Sequence, residues 1–413
     1  MAVLRPFRAL RPAPEYAQQV AALPYDVMNS QEAKEMAKDN PFSFLHVDRA
    51  EIDLPEGTGL YDEAVYRKAA SNLRELEDRG ILREDPTPCY YIYRQIMGER
   101  AQAGIVGCAS IDDYESGVIK KHELTVAEKE EDRVRHVDVC DANTGPIFLA
   151  FRENAVISEF QSRKMRETAP DSDFTAEDGV RHTVWVISDP EEIRMLEEAF
   201  RATPCFYIAD GHHRSASAYR VGKKRRDAHP GYTGTEEFNF FLSVVFPSEE
   251  LSIWDYHRVV RDLGGLTEEE FLDRISASFE VSRAEGAVRP PKPHTFGLLL
   301  SGTWYLLRAK EGSFDPGDPV ERLDVSILQN NLLSPVLGIE DPRTDRRIAF
   351  VGGVRGLAEL EKLVGEGCAC AFSMFPTTLA DLMDIADAGK IMPPKSTWFE
   401  PKLRSGLFIH RLS

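Results

Sequence analysis

The stretch Phe206-Tyr-Ile-Ala-Asp-Gly-His-His-Arg214, followed by Ser-Ala-Ser-Ala-Tyr219, constrains the fold more than any other part of the sequence. Phe206, Tyr207 and Ile208 have strand character, Asp210-Gly211 stops the run, and the Ala-rich segment that follows reads as a helix. A strand, a glycine turn and a helix N-terminus in that order make an anion site. Glycine reaches backbone angles that other residues resist, and the N–H groups of a helix's first turn, backed by its dipole, attract phosphate. In such a turn Gly211 lets the backbone approach a phosphate, Arg214 offers a fork to its oxygens, and His212 and His213 donate hydrogen bonds. Asp210 would orient a histidine or hold Mg2+ through water. The basic run Lys223-Lys-Arg-Arg226 at the far end of the same helix is expected to be a solvated terminus that complements the dipole.

A chain of 413 residues exceeds one ordinary core, so two domains are expected, 1–248 and 249–413. The sequence is 42% hydrophobic and 29% charged with a net charge of −18. That surface repels DNA and anionic lipid, which argues against nucleic acid as the main partner. The six cysteines are scattered, and Cys368-Ala-Cys370 lacks the second pair a zinc site needs, so it reads as buried strand. The N-terminus shows no signal-peptide pattern, and no apolar run approaches the length of a spanning helix. A cytoplasmic protein with reduced thiols is expected.

Along the chain, Leu4–Pro12 and Pro24–Val27 read as extended, and Asn29 with Glu32 has capping-box spacing for a helix to about Lys38. Phe42–Val47 reads as a strand. Ala64, Val65, Ala69, Leu73 and Leu76 share a helix face that Gly80 closes. Tyr90–Tyr93 and Gly104–Ile111 read as strands joined through a turn at Gly98, and a second capping box is expected from Thr125 to Glu128. Strands follow at Pro146–Phe151, Val184–Ile187 and Phe238–Phe246, with a helix at Glu191–Arg201. Beyond the boundary near 248, helices are expected at about 267–278, 321–334 and 376–388, with a hairpin across Ser301-Gly302. Hairpins outnumber βαβ units, so the class is mixed, α+β, with a C-terminal α/β domain.

Other residues could carry chemistry. Lys120-Lys-His-Glu-Leu-Thr125 gathers a cation, an imidazole and a carboxylate where a strand gives way to a helix. Glu123 could act there as general base and His122 as a phosphate or substrate contact. Asp26, beside a rigid proline, and Glu51 are further carboxylates. The loop Pro393–Lys402 combines lysines, hydroxyls and aromatics, and Lys395 is taken from it as a phosphate contact. Gly352-Gly-Val-Arg-Gly356 is too weak for a nucleotide loop. No Walker loop, dinucleotide fingerprint, nucleophile elbow or zinc spacing occurs.

Taken together, Pro24-Tyr-Asp-Val27, Asn40-Pro-Phe-Ser-Phe-Leu-His46, Lys121–Thr125, Ile208–Arg214, Leu323-Asp-Val-Ser-Ile-Leu328 and Pro393–Lys402 resemble, nearly end to end, a bacterial and archaeal family known as domain of unknown function one thousand and fifteen. Its members are often labelled SpoOJ/ParA/ParB/RepB-like. Asp210–Arg214 looks like the Gly-x-x-Arg phosphate motif of the ParB/sulfiredoxin superfamily, and domain 1–248 would then be a ParB/sulfiredoxin-like nucleotide-binding core with elaborations. That resemblance implies that Gly211, His212, His213 and Arg214 contact phosphates of ATP or ADP, with Asp210 in the same nucleotide-binding set, CTP a further option and Mg2+ accompanying the nucleotide. His212 replaces the sulfiredoxin cysteine, which argues against sulfinic-acid repair, and no counterpart of the ParB DNA-binding region is visible. The branch left is that of free-serine kinases, in which a glutamate activates the hydroxyl; Glu123, Glu51 and Asp26 are the candidates here, Glu123 first. The expected activity is nucleotide-dependent phosphoryl transfer to a small hydroxylated metabolite, L-serine above all. The competing expectations are a ParB-like nucleotide-gated regulator and, less favoured, a nuclease. The expected partners are nucleotide and small-molecule substrate, without membrane; self-association into a homo-oligomer stays open.

Overall fold

Every residue of the strand Phe240–Pro247 is buried, the pattern of a strand covered on both faces. In the computed structural model, which describes residues 1–413, this strand lies inside a nine-stranded sheet. The order across the sheet is Ile119–Lys120, Phe206–Asp210, Ile147–Phe151, Phe240–Pro247, Arg100–Ser110, Tyr90–Met97, Arg181–Ile187 and Ser172–Thr175, with Leu4–Arg5 added along Arg100–Ser110. Two neighbour pairs are parallel, Phe206–Asp210 with Ile119–Lys120 and Phe240–Pro247 with Ile147–Phe151; the other pairs are antiparallel. Leu149, Phe151, Phe206, Ile208 and Phe241 fill the core beside it without measurable exposure. Each such side chain contributes on the order of 1.5–3 kcal/mol.

The chain divides into two units, Met1–Leu251 with Pro401–Ser413, and Ser252–Glu400. The break falls close to residue 248, but the C-terminus differs from the single 249–413 domain expected. His410 and Arg411 pair with Asn143 and Ala142, and Leu10 and Ala22 bridge Ile409 and Ser405, so backbone hydrogen bonds bind the last residues to the first unit. The second unit is an all-antiparallel six-stranded sheet, in the order Phe279–Arg283, Thr303–Ala309, Thr295–Leu300, Cys370–Met374, Tyr256–Val260, Ile348–Gly352. The fold is mixed α and β, and no helix is long and apolar enough to cross a membrane.

The capping box at Asn29 forms and starts the helix Ser30–Ala37. The amphipathic helix Glu63–Asp78 buries Val65, Ala69, Leu73 and Leu76. Four local expectations are corrected. Phe42–Val47 is a turn leading into the short helix Leu45–Asp48, not a strand. The Asn40 side chain accepts the Phe42 N–H and Ser43 Oγ accepts the Leu45 N–H, so local polar caps outweigh the β preference of the phenylalanines. Tyr25–Val27 is a 3₁₀ turn rather than extended. Thr125 does not cap the next helix, because its hydroxyl donates to Glu130; that helix runs Ala127–Cys140. The helix expected over 321–334 is α-helical at Asp324–Leu328 and widens to a π turn at Gln329–Leu333.

Candidate functional site

The strand Phe206–Asp210 and the helix His212–Ala228 meet at Gly211, whose φ of 94° and ψ of 31° lie in the left-handed region. An L side chain is strained there, so glycine is what the turn requires. Register slips between Ile208 and Asp210 against Ile147–Phe151, and this irregularity re-aims the Asp210 side chain at the end of the strand. The helix bonds begin with Ser215 N–H donating to the Gly211 carbonyl, so the N–H groups of His212, His213 and Arg214 have no acceptor within the helix. Arg214 Nη1 donates to the Pro146 carbonyl at 2.7 Å, which fixes the guanidinium beside the turn.

Asp210 is tied on both oxygens. Oδ1 accepts the Gly211 N–H at 2.8 Å and Oδ2 accepts Lys402 Nζ at 2.9 Å. Burial alone would raise this carboxyl, but Lys402, Arg214 and the Gly211 N–H outweigh it and hold Asp210 well below the usual carboxylate range. These two contacts tie Asp210 to its own turn and to Lys402.

The strands Ile119–Lys120 and Phe206–Asp210 run parallel, with Ile119 opposite Phe206, so the segments leaving their C-terminal ends emerge side by side. That brings His122 and His212 together, ring centroids 4.4 Å apart and edge to face. Both are buried. Burial pushes His122 down to about 4, offset in part by Asp210, and drives His212 well below its ordinary value, with His122 adding to the effect. Glu123 Oε2 lies 3.8 Å from His212 Nδ1. His213 points to the other flank, where Nε2 accepts the Val126 N–H at 3.0 Å, so its proton resides on Nδ1. Burial and then Lys129 lower His213 as well.

A cleft of about 230 Å³ is lined by Tyr25, Asp26, Glu51, Lys129, Asp132 and Arg133. A cavity of about 20 Å³, room for roughly one water, joins it through Tyr25, Asp48, Arg133 and His136 and reaches Arg214. The Arg133 guanidinium stacks on the Tyr25 ring at 4.0 Å and pairs with Asp132. Burial, only partly opposed by Arg133, pushes the Tyr25 phenol up to about 12, so it stays protonated at neutral pH. Glu51 is held by Arg49 and Ser30, and Asp48 accepts from Thr144. Asp26 is exposed at this cleft and within electrostatic reach of His213.

Of the two lysines in Pro393–Lys402, Lys402 belongs to the first unit and meets Asp210. Lys395 belongs to the second unit, where its carbonyl accepts from Arg258. Lys402 is separated from Asp210 by 192 residues, and no local pattern points to that pairing. Arg133 shares its helix with Arg135 and His136, and Tyr25 sits beside Asp26, but nothing in the sequence indicates that Arg133 and Tyr25 stack. Lys223–Arg226 is solvated only in part: Lys224 is exposed, whereas Arg226 is buried and bidentate to Asp112, and its neighbours pair with Glu115, Asp138 and Asp141.

Residues 4–326 match the family described as "Protein of unknown function (DUF1015)". The chain belongs to that family. No curated protein matches it. Among solved structures, a free serine kinase variant in complex with AMP is similar at 14% identity and a TM-score of 0.39, over 73% of this chain and 91% of the other. The ADP complex of a free serine kinase variant gives 15% and 0.38 over 73% and 92%. A conserved hypothetical protein from Pyrococcus furiosus gives 17% and 0.37 over 73% and 94%. Likeness at that level leaves the activity to be argued from the residues.

Proposed function

We propose that this DUF1015 chain is a nucleotide-dependent phosphotransferase acting on a small hydroxylated metabolite, with L-serine the first candidate and ATP or ADP the donor. The observation that carries the reading is the left-handed Gly211 heading the 17-residue helix His212–Ala228. Its first N–H groups have no acceptor within the helix, Arg214 is held at the Pro146 carbonyl, and a small cavity that reaches Arg214 shares Tyr25 and Arg133 with the cleft that Asp26 lines. We equate this turn with the Gly-x-x-Arg phosphate turn of the ParB/sulfiredoxin superfamily. The residues suit a phosphate group: backbone N–H donors at a positive helix end, a planar cation already oriented by Pro146, and a glycine that leaves the backbone open.

Arg214 and the N–H groups of His212 and His213 would hold the phosphates. Mg2+, when bound with the nucleotide, would supply charge neutralisation. Arg133, Tyr25 and Lys129 shape the neighbouring cleft for a small polar acceptor. Phosphoryl transfer asks mainly for positioning and neutralisation, with one base to take the hydroxyl proton. We assign that base to Asp26. Glu51 is held by Arg49 and Ser30, whereas Asp26 faces the cleft and no residue of the site pairs with it.

Calorimetric titration with ADP and ATP in Mg2+ buffer tests the reading. At 100 times the dissociation constant a ligand raises stability by about 2.7 kcal/mol, visible as a thermal shift, and Arg214→Ala should remove the shift. Saturable nucleotide binding without transfer to any hydroxyl compound would favour the regulatory role instead. No binding of either nucleotide would defeat both.

A further inference from the structure

Two buried imidazoles share a pocket next to the phosphate turn and lack the partners that buried nitrogens normally have. His122 is 2% exposed and His212 is 5%. Both ring nitrogens of His122, and Nε2 of His212, are buried without a hydrogen-bond partner. The Ile208 carbonyl lies near enough to His122 to favour its protonation slightly, yet it is out of bonding geometry. Buried polar atoms are nearly always satisfied, so unpartnered nitrogens on two touching rings call for a ligand, and one ion can take one nitrogen from each ring. Glu123 supplies a third donor, and one ligand atom from each of His122, Glu123 and His212 lies within 4.8 Å of the others.

We infer that His122, Glu123 and His212 form a binding site for one divalent transition-metal ion. Two imidazoles and a carboxylate are the donors that zinc, cobalt, iron and manganese accept; magnesium and calcium prefer oxygen alone. Metal–nitrogen bonds of about 2.0–2.1 Å set ligand edges of about 3.4 Å in a tetrahedral site. The three donors therefore need to close by roughly 1 Å. Glu123, at 48% exposure, has the most room to move. Topology supplies the arrangement: His122 and His212 follow parallel neighbouring strands, so sheet register fixes their separation. Three protein ligands leave a coordination position open, the signature of a site that also receives water or an oxyanion. The alternative is that these are two neutral histidines packed edge to face around a water.

The inference stands apart from the phosphotransferase reading, because the test uses metal alone. The full chain, stripped with chelator and free of nucleotide, is titrated with Zn2+ by calorimetry and with Co2+ by visible absorption. The expected result is one equivalent bound per chain, with no thiolate-to-cobalt charge-transfer band. His122→Asn and His212→Asn should abolish the binding, and Glu123→Gln, a half-exposed change that leaves the core intact, should weaken it at least about tenfold. Three outcomes overturn the site: no saturable binding, a thiolate band, or wild-type affinity in Glu123→Gln. Failure of nucleotide binding leaves it untouched.

Discussion

Replacing Lys402 with methionine removes the ammonium that Asp210 faces while keeping the length of the side chain. The Nζ–Oδ2 distance is 2.9 Å, and the side chains are 14% and 32% exposed. At that separation and an effective dielectric of about 20, the gross attraction is on the order of 6 kcal/mol. Dehydration of both groups cancels much of it, and stripping one partner from a fully buried pair costs about 3–5 kcal/mol. Asp210 is one-third open and keeps Arg214 nearby, so solvent screening reduces the expected loss to about 1–3 kcal/mol. The pH dependence has a definite sign. Asp210 is depressed in the folded state, so its stabilisation is present above the unfolded value of about 3.9 and disappears as pH falls below it. The gap between wild type and Lys402→Met should be full at pH 7 and narrow progressively as pH falls below about 4. Urea unfolding, with hydrogen exchange over Phe206–Ala228 reporting the first unit, measures it. Asp210→Asn in the Lys402→Met background should recover part of the loss. A variant as stable as wild type at pH 7, or a double variant no better than the single, refutes this account of the turn.

Gly211→Ala forces a Cβ into the left-handed region and should cost about 1–2 kcal/mol while weakening any phosphate at the turn; thermal melts with and without ADP check both. In the second unit, Asp324 accepts the His294 N–H through Oδ1, while Oδ2 is buried without a partner. Burial pushes its carboxyl up to about 7. The protonated form is the native one, so its advantage is complete below about pH 4 and is lost as pH rises to 7; Asp324→Asn should therefore be more stable than wild type by about 2–4 kcal/mol at pH 7 and equal to it at pH 4. Asp26→Asn should lower the rate of phosphoryl transfer by a factor of about 10²–10⁴ with nucleotide affinity retained, so loss of affinity in parallel would remove Asp26 from the role of base.

The strand–glycine–helix turn could be read from Phe206–Arg214 because its determinants are local: an apolar run, a glycine and an alanine-rich segment. The capping box at Asn29 and the amphipathic face of Glu63–Asp78 were legible for the same reason. What was not legible depends on separation in sequence. Lys402 reaches Asp210 only because the C-terminal residues pair with the first unit, and Tyr25 receives Arg133 only once the short N-terminal turn packs beside the helix Ala127–Cys140. Phe42–Val47 misled through composition, since two phenylalanines suggest a strand while Asn40 and Ser43 set a turn. The meeting of His122 with His212 follows from parallel pairing of two short strands, which no spacing in the sequence reports.

Phosphorus NMR of the full chain with Mg2+, ATP or ADP, and L-serine tests the central claim most directly. The account predicts a new phosphomonoester resonance that grows with time and vanishes in Arg214→Ala and Asp26→Asn. Unchanged nucleotide spectra with serine and with a panel of other hydroxylated metabolites would contradict it.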